Sequence, residues 1–200
     1  MPKQMKIMYD WEFLERYGVV QGISAGFVRA DGRELYFVLN DFNTLEVAKD
    51  EWLMKNVMSS IEHAPYVSHQ SFNGIPVRDF EIIDRNAMSR AAARQELMEF
   101  TSDIWPDFWA WYGAYDHVCL CSLFGSMVDL PKGWPMFTQD LKQLHKSLGS
   151  PELPAQPDGA HNALEDARFN WVKYDFMKKL QFEQDSARIK GILDREKGLA

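Results

Sequence analysis

The first apolar run alternates. Over Lys6–Phe13, Ile7, Tyr9 and Trp11 fall on one side of an extended segment and Met8, Asp10 and Glu12 on the other, which predicts a strand. A second run, Val20–Arg29, meets Asp31-Gly32, and Glu34–Leu39 follows. Both residues of an Asp-Gly pair tolerate positive φ, so apolar runs on either side of it predict an antiparallel hairpin. The period then lengthens. Asn43-Thr44-Leu45-Glu46 has the form of a capping box, and Leu45, Ala48 and Trp52 continue at helical spacing. His63–Asp79 holds two Pro and a Gly and predicts a loop. Ala91-Ala92-Ala93 and Gln95–Met98 support a helix from about Ala87 to Phe100. Phe108–Tyr112, after Pro106, predicts a short aromatic strand in which Trp109 and Trp111 alternate with Ala110 as core; Gly113 breaks it, and a helix follows over Ala114–Phe124. Thr138–Leu148 predicts another helix, ended by Gly149. After a Pro-containing loop, Ser150–Gly159, a long helix runs from about Ala163 to Leu180, with Ala163, Ala167, Trp171 and Tyr174 as its buried stripe. Residues 181–200 form a charged tail that can be helical but has little apolar face to dock. The order predicts an α/β fold with a mixed sheet whose opening strands are antiparallel, in one domain over residues 1–180.

Composition narrows the class. The chain has 200 residues, 46% of them hydrophobic, with seven Trp, thirteen Phe and seven Tyr, enough apolar surface for a core. No run approaches the roughly 20 apolar residues that cross a bilayer, and no leader segment is visible. Cys119 and Cys121, the only cysteines, are too close in sequence to frame a fold and fit a reducing, cytoplasmic setting. The formal charge of −7 excludes a protein that coats nucleic acid through a broad basic surface. A metal-dependent enzyme stays open, because cations bound among carboxylates invert the local charge.

Asp10 and Glu12, two apart on the first strand, share a face about 6–7 Å apart along it and can reach one hard cation. The same spacing recurs at Asp79-Phe80-Glu81 and Asp194-Arg195-Glu196, and two solvated carboxylates on an exposed face is its plain reading. The first copy differs in closing an apolar strand, where sites of α/β sheets gather. Asn162-Ala163-Leu164-Glu165 forms a second capping box, which starts the last helix at Asn162. Within a helix, His161 and Asp166 would point about 140° apart. Outside the cap, His161 can turn back over the same end of the sheet. The plain alternative is a capped surface helix preceded by an incidental histidine. Asp116 stands in the first turn of its helix, where the dipole alone also favours an acid.

In this order, Asp10-x-Glu12, Trp111-Tyr112-Gly113-Ala114-Tyr115-Asp116 and His161-Asn162-Ala163-Leu164-Glu165-Asp166-Ala167 resemble the three motifs of the DEDDh 3′–5′ exonuclease superfamily. Over roughly Lys6 to Phe176 the chain is more closely similar to the small stand-alone 3′–5′ exoribonucleases of mycobacteria and phages. Tyr9–Phe13, Ala30–Glu34, Trp109–Val118 and Phe137-Thr138 carry that closer likeness. Trp11 departs from the motif, which has a small or β-branched residue there, so packing behind the strand must differ. Gly113 replaces the Asn of many superfamily members, as in the closer group.

The resemblance implies a ribonuclease H-like three-layer fold with helices on both faces of the sheet. It implies hydrolysis of RNA from its 3′ end to nucleoside 5′-monophosphates, with two divalent cations, Mg²⁺ or Mn²⁺, held by Asp10, Glu12, Asp116 and Asp166. His161 would take the proton of the attacking water. It also suggests a homodimer. Phe13 is either core or a surface for stacking the 3′-terminal base, which contributes about 1–3 kcal/mol. His117 reads as a helix residue rather than a ligand, and His63 and His69 fall in the loop, within reach of substrate. Single-stranded DNA as substrate, or an inactive nucleotide- or RNA-binding module, are the competing functions. Carboxylates this close repel one another, so without cations one or more should have a raised pKa.

Overall fold

The computed structural model describes residues 2–72, 75–157 and 160–196, with side chains omitted over 66–78 and at 196. Three strands open the chain, β1 (Lys3–Arg16), β2 (Val19–Arg29) and β3 (Glu34–Leu39). They pair antiparallel, β1 with β2 and β2 with β3. Two short helices, α1 (Thr44–Ala48) and α2 (Glu51–Asn56), precede a hairpin of β4 (His63–Phe72) and β5 (Ile75–Ile82). Then come β6 (Ala87–Met88), α3 (Arg90–Phe100), β7 (Ile104–Ala110), α4 (Ala114–Phe124), β8 (Gln139–Asp140), α5 (Leu141–Ser147) and α6 (Ala163–Glu196). The main sheet is mixed, ordered β6-β3-β2-β1-β7-β8, with β6, β7 and β8 each parallel to its neighbour. This is the expected α/β class, and its antiparallel opening and surrounding helices are compatible with a ribonuclease H-like fold.

Alternation along β1 splits the core in two. Ile7, Tyr9 and Trp11 face a cluster that includes Ala93 and Leu97 of α3 and Leu120 and Leu123 of α4. Met8 faces the other way, onto Leu141 of α5 and Met177 of α6. Helices therefore cover both faces. Trp11, the departure from the motif, fits because Gly22 lies under it: a Cβ there would sit 2.6 Å from the indole. Its ring meets Phe27 and Phe37 edge-on, while its N–H finds no acceptor among the described residues, a cost of about 1–3 kcal/mol. On the opposite face Gly26 lets α6 approach, since a Cβ would lie 2.4 Å from the carbonyl oxygen of Ala163. Ala163 and Ala167 are fully buried there, as expected, but Trp171 and Tyr174 are only partly covered, and Asn170 and Met177 complete the stripe.

Several boundaries differ from expectation. The loop expected over His63–Asp79 is the β4–β5 hairpin; residues 73–74 between the strands, and 158–159 of the later loop, lie outside the described residues. Pro65 and Pro76 mark that segment as a loop by composition, yet in a two-stranded sheet each strand has an open edge, where a missing N–H breaks no ladder. The helix expected from Asn43 is two, because Asp50 caps a second one by accepting from the N–H groups of Trp52 and Leu53. Ser89, accepting from the Ala92 N–H, starts α3 later than expected and leaves Ala87-Met88 to pair with β3. Strand β7 begins before Pro106, not after it, and ends at Ala110, so Trp111 is half-buried rather than strand core. Asp140 likewise caps α5, so that helix begins at Leu141 and not Thr138. Helix α6 continues unbroken through the charged tail to Glu196, with Phe182 exposed on it. No helix among the described residues is long and apolar enough to cross a membrane.

Candidate active site

The site forms where β1 outruns β7. The two strands pair only from Lys3 to Met8, and beyond that point the β1 edge is open. The backbone N–H of Trp11 on that stretch is taken by Asp116, donating to Oδ1 at 2.8 Å, which draws the start of α4 onto β1. Asp10 and Glu12 project on the α6 face, opposite Gly26 and Ser24 of β2. At the start of α6, the Asn162 side chain accepts from the N–H groups of Leu164 and Glu165, the expected cap. His161 lies just outside with φ +66°, a left-handed conformation that turns the chain back. Its own N–H donates to Oδ2 of Asp166 at 2.8 Å. The cap thus brings together a pair that a continuous helix would have separated. Glu12, His161 and Asp166 each offer a ligand atom, all within 4.8 Å of one another.

The electrostatics are those of crowded like charges. Burial, then the charges of Asp116, Glu12 and Asp166, hold Asp10 well above the usual carboxylate range. Glu12 is pushed up to about 8 by burial and by Asp166 and Asp116. Asp116 is pushed up to about 7, chiefly by burial, against the N–H bond from Trp11 that favours its ionised form. The sequence-based expectation of raised carboxylates holds. Among the described residues Lys173, two helical turns beyond Asp166, acts favourably on Asp10. Burial lowers its own pKa, opposed by Asp166 and Asp10. The ammonium sits 4.6 Å from the ring centre of Trp111 and donates to Oδ1 of Asn170 at 3.1 Å.

Three neighbours carried no signal in the sequence. Gln156 donates to Oδ1 of Asp166 at 2.6 Å from the irregular loop before α6. Trp52, read as a core position of a helix, is 52% exposed and meets the His161 ring edge-on with centroids 4.8 Å apart. Lys173 reads from sequence as an ordinary charge on a helix. Among the remaining candidates, Phe13 is partly buried against Tyr115, ring centres 5.4 Å apart. His117 is a helix residue, bonded through Nδ1 to Thr138. His63 packs on Phe80, with Nδ1 2.8 Å from the Ile61 carbonyl oxygen, and the side chain of His69 lies outside the described residues.

All-oxygen carboxylates crowded beyond their tolerance for ionisation, with one imidazole at hand, make a donor set suited to hard divalent cations. No protein-family model matches the chain. Two curated proteins, from two strains of Mycobacterium tuberculosis and each named a 3′–5′ exoribonuclease, are 36% identical to it over 169 residues. The match covers 82% of this chain and 88% of each relative.

Proposed function

This chain belongs to the family of those 3′–5′ exoribonucleases, and from that membership we propose that it hydrolyses RNA from the 3′ end, releasing nucleoside 5′-monophosphates. The observation that carries the reading is the convergence of Glu12, His161 and Asp166, beside an Asp10 that three other carboxylates crowd. Asp10, Glu12, Asp116 and Asp166 would hold two divalent cations, Mg²⁺ or Mn²⁺, which when bound supply charge stabilisation at the scissile phosphate. The cations would also relieve the mutual repulsion of the carboxylates, giving the chain's own acids a settled ionised form near neutral pH.

His161 is the general base. It is the one imidazole in the cluster, and a neutral histidine suits proton removal from water near pH 7. Its backbone is tied to Asp166 and its ring abuts Trp52, so it meets a water held among the carboxylates from a fixed direction. Asp116 joins two elements, fixing the helix that carries it to the strand that carries Asp10 and Glu12. Gln156 orients Asp166 from the side opposite the His161 amide, through its other oxygen. Phe13, next to Glu12 in sequence and partly buried, would offer its ring to the 3′-terminal base.

The test uses RNA and DNA of one sequence, each labelled at the 5′ end, with Mg²⁺, Mn²⁺ or a chelator. Expected is a ladder shortening from the 3′ end of the RNA, mononucleotide product, and none of either with the chelator. Internal cleavage, or equal activity with the chelator, would overturn the reading; faster DNA degradation would reassign the substrate.

A further inference from the structure

Behind the carboxylates a short hydrogen-bonded chain joins two of the three elements that carry them, β1 and α4. The phenol of Tyr9, next to Asp10 and fully buried, lies 2.5 Å from the hydroxyl of Thr138. That hydroxyl lies 3.1 Å from Nδ1 of His117, the residue after Asp116, and Nε2 of the same ring is 3.5 Å from Sγ of Cys121. Thr138 comes from the segment just before β8, distant in sequence from both partners. The two hydroxyls bond each other and Thr138 also bonds Nδ1 of His117, so its hydroxyl bridges the phenol and the imidazole. A serine could make both bonds; a valine of the same shape could make neither.

We propose that Thr138 is a positioning residue whose hydroxyl latches the start of α4 to β1, fixing Asp116 against Asp10. Three ties join the start of α4 to β1. The Asp116 carboxylate takes the Trp11 N–H, the exposed Tyr115 hydroxyl donates to Glu15 at 3.1 Å, and the buried path runs through His117 and Thr138 to Tyr9. The exposed bond competes with water, so the buried anchor one residue beyond Asp116 is the one that limits rocking about the Trp11 contact. The assignment builds on the cation-holding role proposed for these acids, but the latch is a property of the metal-free protein as well.

The test compares Thr138→Val with Thr138→Ser. In metal-free protein, hydrogen exchange of the Trp11 amide reports the contact with Asp116 directly, and the Ile7 amide lower on the same strand serves as reference. Calorimetric titration with Mn²⁺ reports cation binding without turnover. Loss of the latch in Thr138→Val should speed Trp11 exchange about 2- to 10-fold, the range of one net hydrogen bond. Ile7 should hold its rate, Mn²⁺ affinity should fall, and Thr138→Ser should restore both readouts. Tyr9→Phe removes the same bond from the other side and should act like Thr138→Val, with the double variant no worse than either; it serves where the valine variant folds poorly. Unchanged Trp11 exchange in Tyr9→Phe and Thr138→Val, or equal acceleration at Trp11 and Ile7, would overturn the latch. A wild-type protein that binds no Mn²⁺ would end the cation reading instead, with the exchange comparison still deciding the latch.

Discussion

Two groups of charged side chains sit three residue pairs apart on the β1–β2 ladder, on opposite faces, and follow opposite rules. At the Ile7–Arg29 pair, Arg29 is fully buried toward the α3 and α4 face. Its guanidinium donates to Asp31, to Asp103 and to the Phe100 carbonyl, and Arg33 closes the group from outside. Charges alternate there, and the arginines hold Asp31 and Asp103 below the usual carboxylate range. At the Asp10–Gly26 pair, on the α6 face, carboxylates meet carboxylates and their values rise. The first group satisfies itself and holds the hairpin to the end of α3. In the second, Lys173 acts favourably on Asp10, and the cations proposed for the site would offset the repulsion that remains.

Neutralising one member on each side should break the comparison most visibly. Asp10→Asn should bring hydrolysis to background while raising the melting temperature of the metal-free protein, because it removes one of several repelling charges. Arg29→Met should do the reverse. It strips charged hydrogen bonds worth about 1.5–3 kcal/mol from a buried site, lowering stability while the folded fraction keeps its activity. Thermal melts in chelator beside activity assays read both signs, and Asp10→Asn that melts lower than wild type would refute the repulsion.

Loss of the base proposed above is the next largest effect. General-base contributions run to about 10²–10⁴-fold, so His161→Ala should lose that much in kcat. Binding of Mn²⁺ should persist through the four carboxylates, measured by calorimetry on the same protein. Near-full kcat in that variant would move the base elsewhere and leave His161 as a residue flanking the cap.

The two groups should also pull stability in opposite directions along the pH axis. Glu12 and Asp116 titrate in the folded chain at about 8 and about 7, above their values of about 4 when unfolded. Their contribution is therefore fully present below about pH 4 and is lost as pH rises toward 8. For Asp31, Glu34 and Asp103, held low by arginines, the contribution is present above about pH 4 and is lost on acidification. Metal-free protein should thus melt at falling temperature from about pH 5 to pH 8. Mn²⁺ or Mg²⁺ should raise the melting temperature most at the alkaline end. A flat profile in chelator would show that the carboxylates do not repel as described.

The same contrast explains what could be read in the sequence. Asp10 and Glu12 share a strand face by period alone, and His161 and Asp166 are joined by a cap written in four consecutive residues, so both halves of the cluster are legible locally. Asp116 needed the motif, since an acid in a first helical turn has an ordinary explanation and its bond to Trp11 is visible only when α4 meets β1. Lys173, Gln156 and Trp52 have no local mark, because each reaches the site from a segment whose own pattern says surface or core. The hairpin over His63–Ile82 was hidden for a related reason. Its two prolines give it the composition of a loop while its strands pair only with each other, so the composition of a loop and the geometry of a strand coincide there.

Trp52 offers the smallest and most discriminating effect. Its ring meets His161 at 77°, and its helix is pinned because Asp50, which caps it, also accepts from Arg16 at 2.9 Å. An aromatic pair of this kind is worth about 0.5–1.5 kcal/mol. If all of that holds the imidazole in its working orientation, Trp52→Ala should lower kcat about 2- to 10-fold and leave KM for RNA near wild type. Trp52→Phe, which keeps a ring edge, should recover part of the loss. The exposed face of the same indole could instead carry a base of the substrate, and the kinetics separate the two roles. A stacking platform would raise KM and spare kcat, whereas a brace for the base acts on kcat, because the imidazole moves a proton only in the chemical step. A rise in KM alone would detach Trp52 from His161 and leave the histidine oriented by its left-handed backbone and the tie to Asp166.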